Sequence, residues 1–260
     1  MKVYLVYSAS YGWMLKEEVE KVLFCYPYVR TECKGLSPEI PYGFSDVIID
    51  SGGFQMHTGV AHVTKESYAL WLELLLPKHP EISGYMNLDI IDDDVESFNN
   101  FRFLESKGLH PVPTWHAGEQ EAYLEYYCNN YPWVSIGGLV SGGVSKRKIR
   151  QLTLWLRQQY PKTHFHLFGI GISGIDAFKE IPPYSCDFST WNTVQRFGHT
   201  IIKDKKQIIK EVQMPEKDRM RIRTDHAFRD EVTRHAIKNM MYFESTVNSF
   251  VDSSYQQLLV

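Results

Sequence analysis

Asp46-Val47-Ile48-Ile49-Asp50-Ser51-Gly52-Gly53-Phe54-Gln55 reads as a short buried parallel strand that carries an acid to its own C-terminal end. The carboxylate of Asp50 emerges where the strand stops and the backbone turns. Gly52 and Gly53 then let the main chain approach a flat ligand closely, because no side chain stands in the way. Phe54 offers a stacking face, and Gln55 offers both a donor and an acceptor. An acid, Ser51, a bare backbone and an aromatic ring together suit a planar heterocycle such as a nucleobase. Taken alone, the hexapeptide fits a turn or helix cap equally well.

Similar apolar runs recur at Val3–Ser8, Gly84–Asp89, Pro111–His116, Trp133–Leu139, His164–Ile170 and Tyr184–Ser189. Helical patterns lie between them at Met14–Leu23, Lys65–Leu75, Val95–Ser106, Glu119–Tyr127, Lys146–Gln159 and Ile175–Lys179. This alternation predicts βα units around a parallel sheet. The fold class expected is α/β, a (β/α)8 TIM-type barrel, with His199–Lys203 as the candidate eighth strand and an open doubly wound sheet as the alternative. One domain over residues 1–260 accounts for the chain, with a barrel core to about residue 203. Beyond it lies a C-terminal helical extension: a basic stretch, Lys203–Arg223, and a long helix from about His226 to Tyr255 that covers the outside of the barrel. Barrel chemistry sits at the C-terminal ends of strands. There the sequence places Asp50, Asp89, His116, Gly137-Gly138, Gly169 and Asp187.

Bulk composition narrows the possibilities without choosing among them. The 260 residues are 43% hydrophobic and 23% charged, a globular profile, and suit one barrel in length. A formal net charge of −3 gives no global attraction to polyanions, so any nucleic-acid contact needs a local patch. Cys25, Cys33, Cys128 and Cys186 are scattered without a Cys-x-x-Cys, as expected for reduced thiols in a cytoplasmic protein. No apolar stretch approaches the ~18 residues of a membrane span, so no membrane partner is expected.

Cys186-Asp187-Phe188-Ser189-Thr190-Trp191 supplies the second acid. Two carboxylates facing one pocket suit displacement at a sugar anomeric carbon, one attacking and the other handling protons. With this element the chain resembles the tRNA-guanine transglycosylase superfamily. Asp50-Ser51-Gly52-Gly53-Phe54-Gln55 matches its signature without a substitution. Met86-Asn87-Leu88-Asp89 looks like its base-recognising strand end. Ile136-Gly137-Gly138-Leu139 and His166-Leu167-Phe168-Gly169-Ile170-Gly171 look like its two glycine strands. Order and approximate spacing agree from residue 46 to about 200. The zinc-binding cysteine cluster of the tRNA enzymes has no counterpart, since no cysteine follows Cys186, and no zinc subdomain is expected. The chain is most similar to the compact, zinc-free 7-deazaguanine DNA transglycosylases of phages and bacteria, whose host-cell location would again be cytoplasmic.

The resemblance implies base exchange in DNA. Guanine leaves a flipped-out nucleotide as Asp187 attacks C1′, and a free 7-deazaguanine, such as 7-cyano-7-deazaguanine, displaces Asp187 in turn. Asp50 would be the general acid/base, and Asp89 would accept hydrogen bonds from the base. Ser51, Gln55, His116, Gly137, Gly138, Leu139 and Gly169 would line the rest of the base site, with Phe54 stacking. Ser189 and Trp191 would position the nucleophile or wedge against the extruded nucleotide. Arg196, Lys205 and Lys206 would grip flanking phosphates, although the basic stretch also fits a solvated face. No metal and no cofactor is implied, and accessory proteins are compatible with the family. The alternatives are a tRNA-guanine (queuine- or archaeosine-type) transglycosylase and a non-catalytic nucleic-acid-binding relative; retention of both Asp50 and Asp187 argues against the second.

Other signals read as structural. His164-Phe165-His166 puts two imidazoles on one side of a strand, which fits packing better than a metal pair. Asp92-Asp93-Asp94 fits a helix cap. Gly169-Ile170-Gly171-Ile172-Ser173-Gly174 lacks the lysine of a P-loop and reads as pocket wall and turn. Ser141-Gly142-Gly143 reads as the approach to a helix.

Overall fold

A computed structural model describes residues 1–32, 38–139, 145–170, 182–192, 197–204 and 209–257. The helix expected at 175–179, Cys33, the 141–143 segment, the glycines from 171 to 174, Arg196, Lys205 and Lys206 lie outside the described residues. The core is an eight-stranded sheet: β1 (Lys2–Val6), β2 (Lys21–Cys25), β3 (Asp46–Asp50), β4 (Ile82–Tyr85), β5 (Thr114–His116), β6 (Trp133–Gly137), β7 (His164–Leu167) and β8 (Ser185–Phe188). Its order is β4-β3-β2-β1-β8-β7-β6-β5, and every neighbouring pair is parallel.

That order is an eight-membered ring cut between β4 and β5, and the sheet curls accordingly. The closed ladder expected from the sequence is not formed. The two edges meet only at the bridge Met86↔Val112, where Asn87 N–H donates to Val112 O at 2.8 Å and Val112 N–H donates to Tyr85 O at 2.8 Å. Beyond it the β4 side turns back on itself: Asp89 N–H donates to Asn87 O at 3.0 Å, so that carbonyl does not carry the ladder on, and Pro113 O faces β6, accepting from Ser135 N–H at 2.8 Å.

Period-two alternation separates two apolar clusters. Val47 and Ile49 of β3 belong to the large cluster between sheet and helices, whereas Ile48 packs on the concave side with Tyr4, Leu23, Met86 and Val112. Asp46 and Asp50 share the parity of Ile48. Asp46 ties the lower end of the concave side together, accepting from Lys2 Nζ at 2.7 Å, Tyr4 Oη at 2.8 Å and Ser83 Oγ at 2.6 Å. Asp50 is delivered to the upper end.

The eighth strand is β2, which corrects the expected helix over Met14–Leu23. Helix α1 (Gly12–Glu18) ends at Val19, whose backbone is extended, and Val22-Leu23-Phe24-Cys25 is buried as a strand. A short continuous apolar run carries no periodicity to distinguish strand from helix. His199–Lys203 (β9) is correspondingly not in the main sheet. It pairs antiparallel with β10 (Ile209–Gln213) as a separate hairpin.

The remaining helices are α2 (Tyr26–Glu32), α3 (Gly53–His57), α4 (Lys65–Leu75), α5 (Asp94–Ser106), α6 (Glu121–Asn130), α7 (Lys146–Gln159), α8 (Glu216–Thr224) and α9 (His226–Gln257). Asp93 caps α5 by accepting from Glu96 N–H at 2.9 Å, so this part of the acidic triplet is a cap as read. Helix α9 packs back on the start of the chain: Asn248 Oδ1 accepts from the N-terminal amine at 2.7 Å, Arg234 pairs with Glu17 and Glu18, and Lys21 meets Glu244 at 3.2 Å. Among the described residues, no helix is long and apolar enough to cross a membrane.

Candidate active site

The C-terminal ends of the strands surround a cavity of about 380 Å³, within the range of small-molecule sites. Asp50, Asp89 and Asp187 all line it, together with His116. Gly137, Gly138, Leu139 and Gly169 form backbone-rich wall, and Gly53, Phe54, Gln55 and Ser189 complete the part read from sequence. These residues come from six separate strands or the turns that follow them, so only the curled sheet brings them together.

Each residue of the signature hexapeptide has a distinct place. Asp50 ends β3, and one of its oxygens accepts from Gly52 N–H at 3.3 Å. Gly52 has φ 93°, and a Cβ there would meet Pro27 Cγ at 2.4 Å, so the turn requires glycine on both counts. Ser51 does not reach the cavity. It is fully buried, and its hydroxyl donates to Asp89 Oδ1 at 2.9 Å. Phe54 sits on the rim and is 55% exposed, free to cover a ligand. Gln55 Oε1 is buried and has no hydrogen-bond partner among the described residues.

Asp89 is held from three directions. Besides Ser51, His116 Nε2 lies 3.1 Å from its Oδ2, and Gly53 packs directly against the carboxylate. Glu119 grips the other side of His116: Oε1 is 2.9 Å from Nδ1, and Oε2 accepts from the His116 N–H at 2.8 Å. Burial disfavours the imidazolium, but the hydrogen bonds to Asp89 and Glu119 outweigh it and raise the His116 pKa to about 10. At neutral pH the site therefore contains a cation clamped between two acids. Glu119 was expected as the first residue of a helix, yet α6 begins at Glu121 and Glu119 turns back on His116. The signal available was the spacing His-x-x-Glu immediately after a strand. Gly53→Ala should drive the new Cβ to within 2.4 Å of Asp89 Oδ2 and displace it. The expected result is a His116 pKa lower by roughly one unit or more, read by NMR titration; an unmoved His116 would contradict the clamp.

Asp50 has the opposite electrostatics. Burial, then the charge of Asp89 and more weakly that of Asp187, push its pKa up to about 7 against hydrogen bonds from Gly52 and the Cys25 thiol. It can thus give or take a proton near neutrality. Cys25, the last residue of β2, pairs in register with Asp50 and also lines the cavity. Burial, with Asp50 next, raises its thiol pKa well above the ordinary value, so it is a neutral donor rather than a nucleophile. It went unseen because β2 did.

Asp187 lies within β8, with its backbone paired to Tyr4 in β1. Its Oδ1 accepts from Gly169 N–H at 2.8 Å. Beneath it, His166 is fully buried, with Nδ1 2.9 Å from Ser185 Oγ and Nε2 3.5 Å from Asp187 Oδ1. His164 instead stacks on Tyr184 with ring centroids 4.3 Å apart, so the two imidazoles do not converge as a metal pair. Among the described residues no cluster of His, Cys, Asp and Glu has the arrangement of a metal site.

The nucleic-acid contacts read from sequence are placed less uniformly. Trp191 is fully buried, edge-on to Tyr11 at 6.1 Å between ring centroids, and presents no face to a nucleotide. In the basic stretch, Lys203 sits over the Tyr242 ring, Lys210 pairs with Asp204 and Arg221 pairs with Asp225. Much of that charge is engaged locally. A scan against protein-family models and a search of curated proteins each found no match to this chain.

Proposed function

We propose that the chain is a base-exchange transglycosylase, replacing guanine in DNA with a 7-deazaguanine through a covalent aspartyl-glycosyl intermediate. The observation that carries this reading is the meeting of Asp50 and Asp187 in one purine-sized cavity that Asp89 and the backbone of Gly53, Gly137, Gly138 and Gly169 also line. A binding module has no need for two opposed acids brought to one cavity from separate strands.

The division of labour follows from the surroundings. Asp187, tethered at Oδ1, directs Oδ2 toward C1′ of an extruded nucleotide. The new O–C1′ bond forms as the C1′–N9 bond breaks, and the departing guanine takes a proton from neutral Asp50. The incoming base returns a proton to Asp50, its nitrogen bonds to C1′, and Asp187 leaves as a carboxylate. Asp89 accepts from the N1–H and 2-amino groups that guanine and 7-deazaguanines share. Its orientation is fixed beforehand by Ser51, His116 and Glu119, which is preorganisation of the base site. Flipping the nucleotide costs a few kcal/mol, which contacts to the base in the cavity offset. The orphaned Gln55 Oε1 gives the base one further acceptor to satisfy.

The test is to incubate protein with guanine-labelled DNA, or with labelled tRNA, plus 7-cyano-7-deazaguanine. Mass spectrometry of the digested nucleosides then reports which polymer acquires the deazaguanine. The expected product is modified DNA with one labelled guanine released per base incorporated; modification of neither polymer would sink the proposal. Asp89→Asn should weaken use of guanine-type bases about 10- to 100-fold, the effect of losing an ionic hydrogen-bond acceptor. Competition between guanine and adenine analogues measures it, and unchanged selectivity removes Asp89 from base recognition.

A further inference from the structure

We infer that His166 is a positioning residue for Asp187, donating from Nε2 to Oδ1 while Ser185 fixes its tautomer; the inference rests on the base-exchange reading. Among the described residues Nε2 of His166 is buried and has no hydrogen-bond partner, although Asp187 Oδ1 stands only 3.5 Å away. An orphaned buried polar atom is costly unless it is completed at some stage of function. The tautomer follows from chemistry. With the proton on Nε2, Nδ1 accepts from the Ser185 hydroxyl at 2.9 Å and the donor nitrogen stands 3.5 Å from Asp187 Oδ1. The other tautomer would set two lone pairs against each other in a dry interior.

Packing leaves the ring little choice of orientation. Phe168 meets it edge-on with centroids 4.8 Å apart, and Tyr4 approaches at 6.2 Å. Gly169 N–H already holds Oδ1, and a second donor on the same oxygen leaves Oδ2 as the atom that attacks. The His166 bond closes by a few tenths of an ångström when charge concentrates on the carboxylate. That happens in the second half of the exchange. As the incoming nitrogen bonds to C1′ and the ester C1′–O bond breaks, the electron pair returns to Asp187, and the Nε2–H stabilises it. His166 gives up no proton in this step.

The expected consequence separates positioning from packing. His166→Phe keeps the ring and removes the donor; it should slow breakdown of the glycosyl-enzyme about 10- to 100-fold, so that covalent adduct accumulates while KM for DNA barely moves. His166→Gln, which restores an N–H at the same reach, should recover most of the rate. Adduct that does not accumulate in the Phe variant, or equal slowing in Phe and Gln variants, would overturn the assignment. A readout independent of turnover is the long-range ¹H–¹⁵N spectrum of the wild-type histidines. It should show His166 with its proton on Nε2 and a resonance that shifts in Asp187→Asn. A proton on Nδ1 overturns the inference even if the Phe variant fails to fold. Absence of base exchange by the wild-type protein, with the Nε2–H tautomer present, would instead count against the proposed function.

Discussion

Asp187→Ala should abolish base exchange, lowering the rate by about 10⁴-fold or more, the scale on which loss of a covalent nucleophile is felt. The fold should survive. The variant removes one acceptor for Gly169 N–H, while the β8 backbone keeps its pairing with β1 and β7. Circular dichroism and thermal unfolding check the fold, and single-turnover release of labelled guanine checks the chemistry. Wild-type release from a folded Asp187→Ala protein would mean that another group attacks C1′. Base binding is expected to persist, because the Asp89–His116–Glu119 clamp is built from different strands and turns.

Asp50→Asn should cut guanine release by roughly 10²- to 10⁴-fold, since the departing base loses its proton donor. The wild-type pH profile follows from the raised pKa. With Asp50 at about 7, first-half release should be fast below that pH and fall as pH rises through it. The Asn variant should be slow and flat across the same window. Stability should move the other way. The folded pKa of about 7 lies above the ordinary 3.8, so the native state holds a proton that the unfolded chain gives up. Wild-type stability therefore falls as pH rises from about 4 to about 7. Asn, which never ionises, escapes that loss and should be more stable at pH 8 by on the order of 4 kcal/mol. Chemical denaturation at pH 5 and pH 8 decides it: a difference between the two proteins that does not grow with pH would contradict the burial and carboxylate repulsion assigned to Asp50.

Much of the site was legible because strand ends are written in local chemistry. Asp50, Asp89, His116, Gly137 and Asp187 each follow an apolar run, and a parallel sheet sends such ends to one face. Their convergence needed only the alternation of strands and helices. What escaped were features without a local period. Val22-Leu23-Phe24-Cys25 is apolar throughout, and a helical pattern over Met14–Leu23 takes its first two residues, which hides the strand with Cys25 beside Asp50 and passes the eighth strand to His199–Lys203. The open β4–β5 edge was equally hidden, because the turn that ties Asp89 N–H to Asn87 O leaves no periodic mark in the sequence. Trp191 looked available for a nucleotide because aromatic residues serve contact and packing alike; tertiary burial against Tyr11 decides between them. His166 acts through Ser185 and Asp187 on the neighbouring strand β8, so its partners become apparent only in three dimensions, whereas Glu119 reaches back three residues to His116.

The most direct measurement is to quench wild-type protein with guanine-containing DNA before any deazaguanine is added, then map the covalent adduct by peptide mass spectrometry. A deoxyribosyl ester on Asp187, with loss of one guanine and displacement by added 7-cyano-7-deazaguanine, is the expected result. No adduct in the presence of released guanine, or an adduct on a different side chain, would contradict the account.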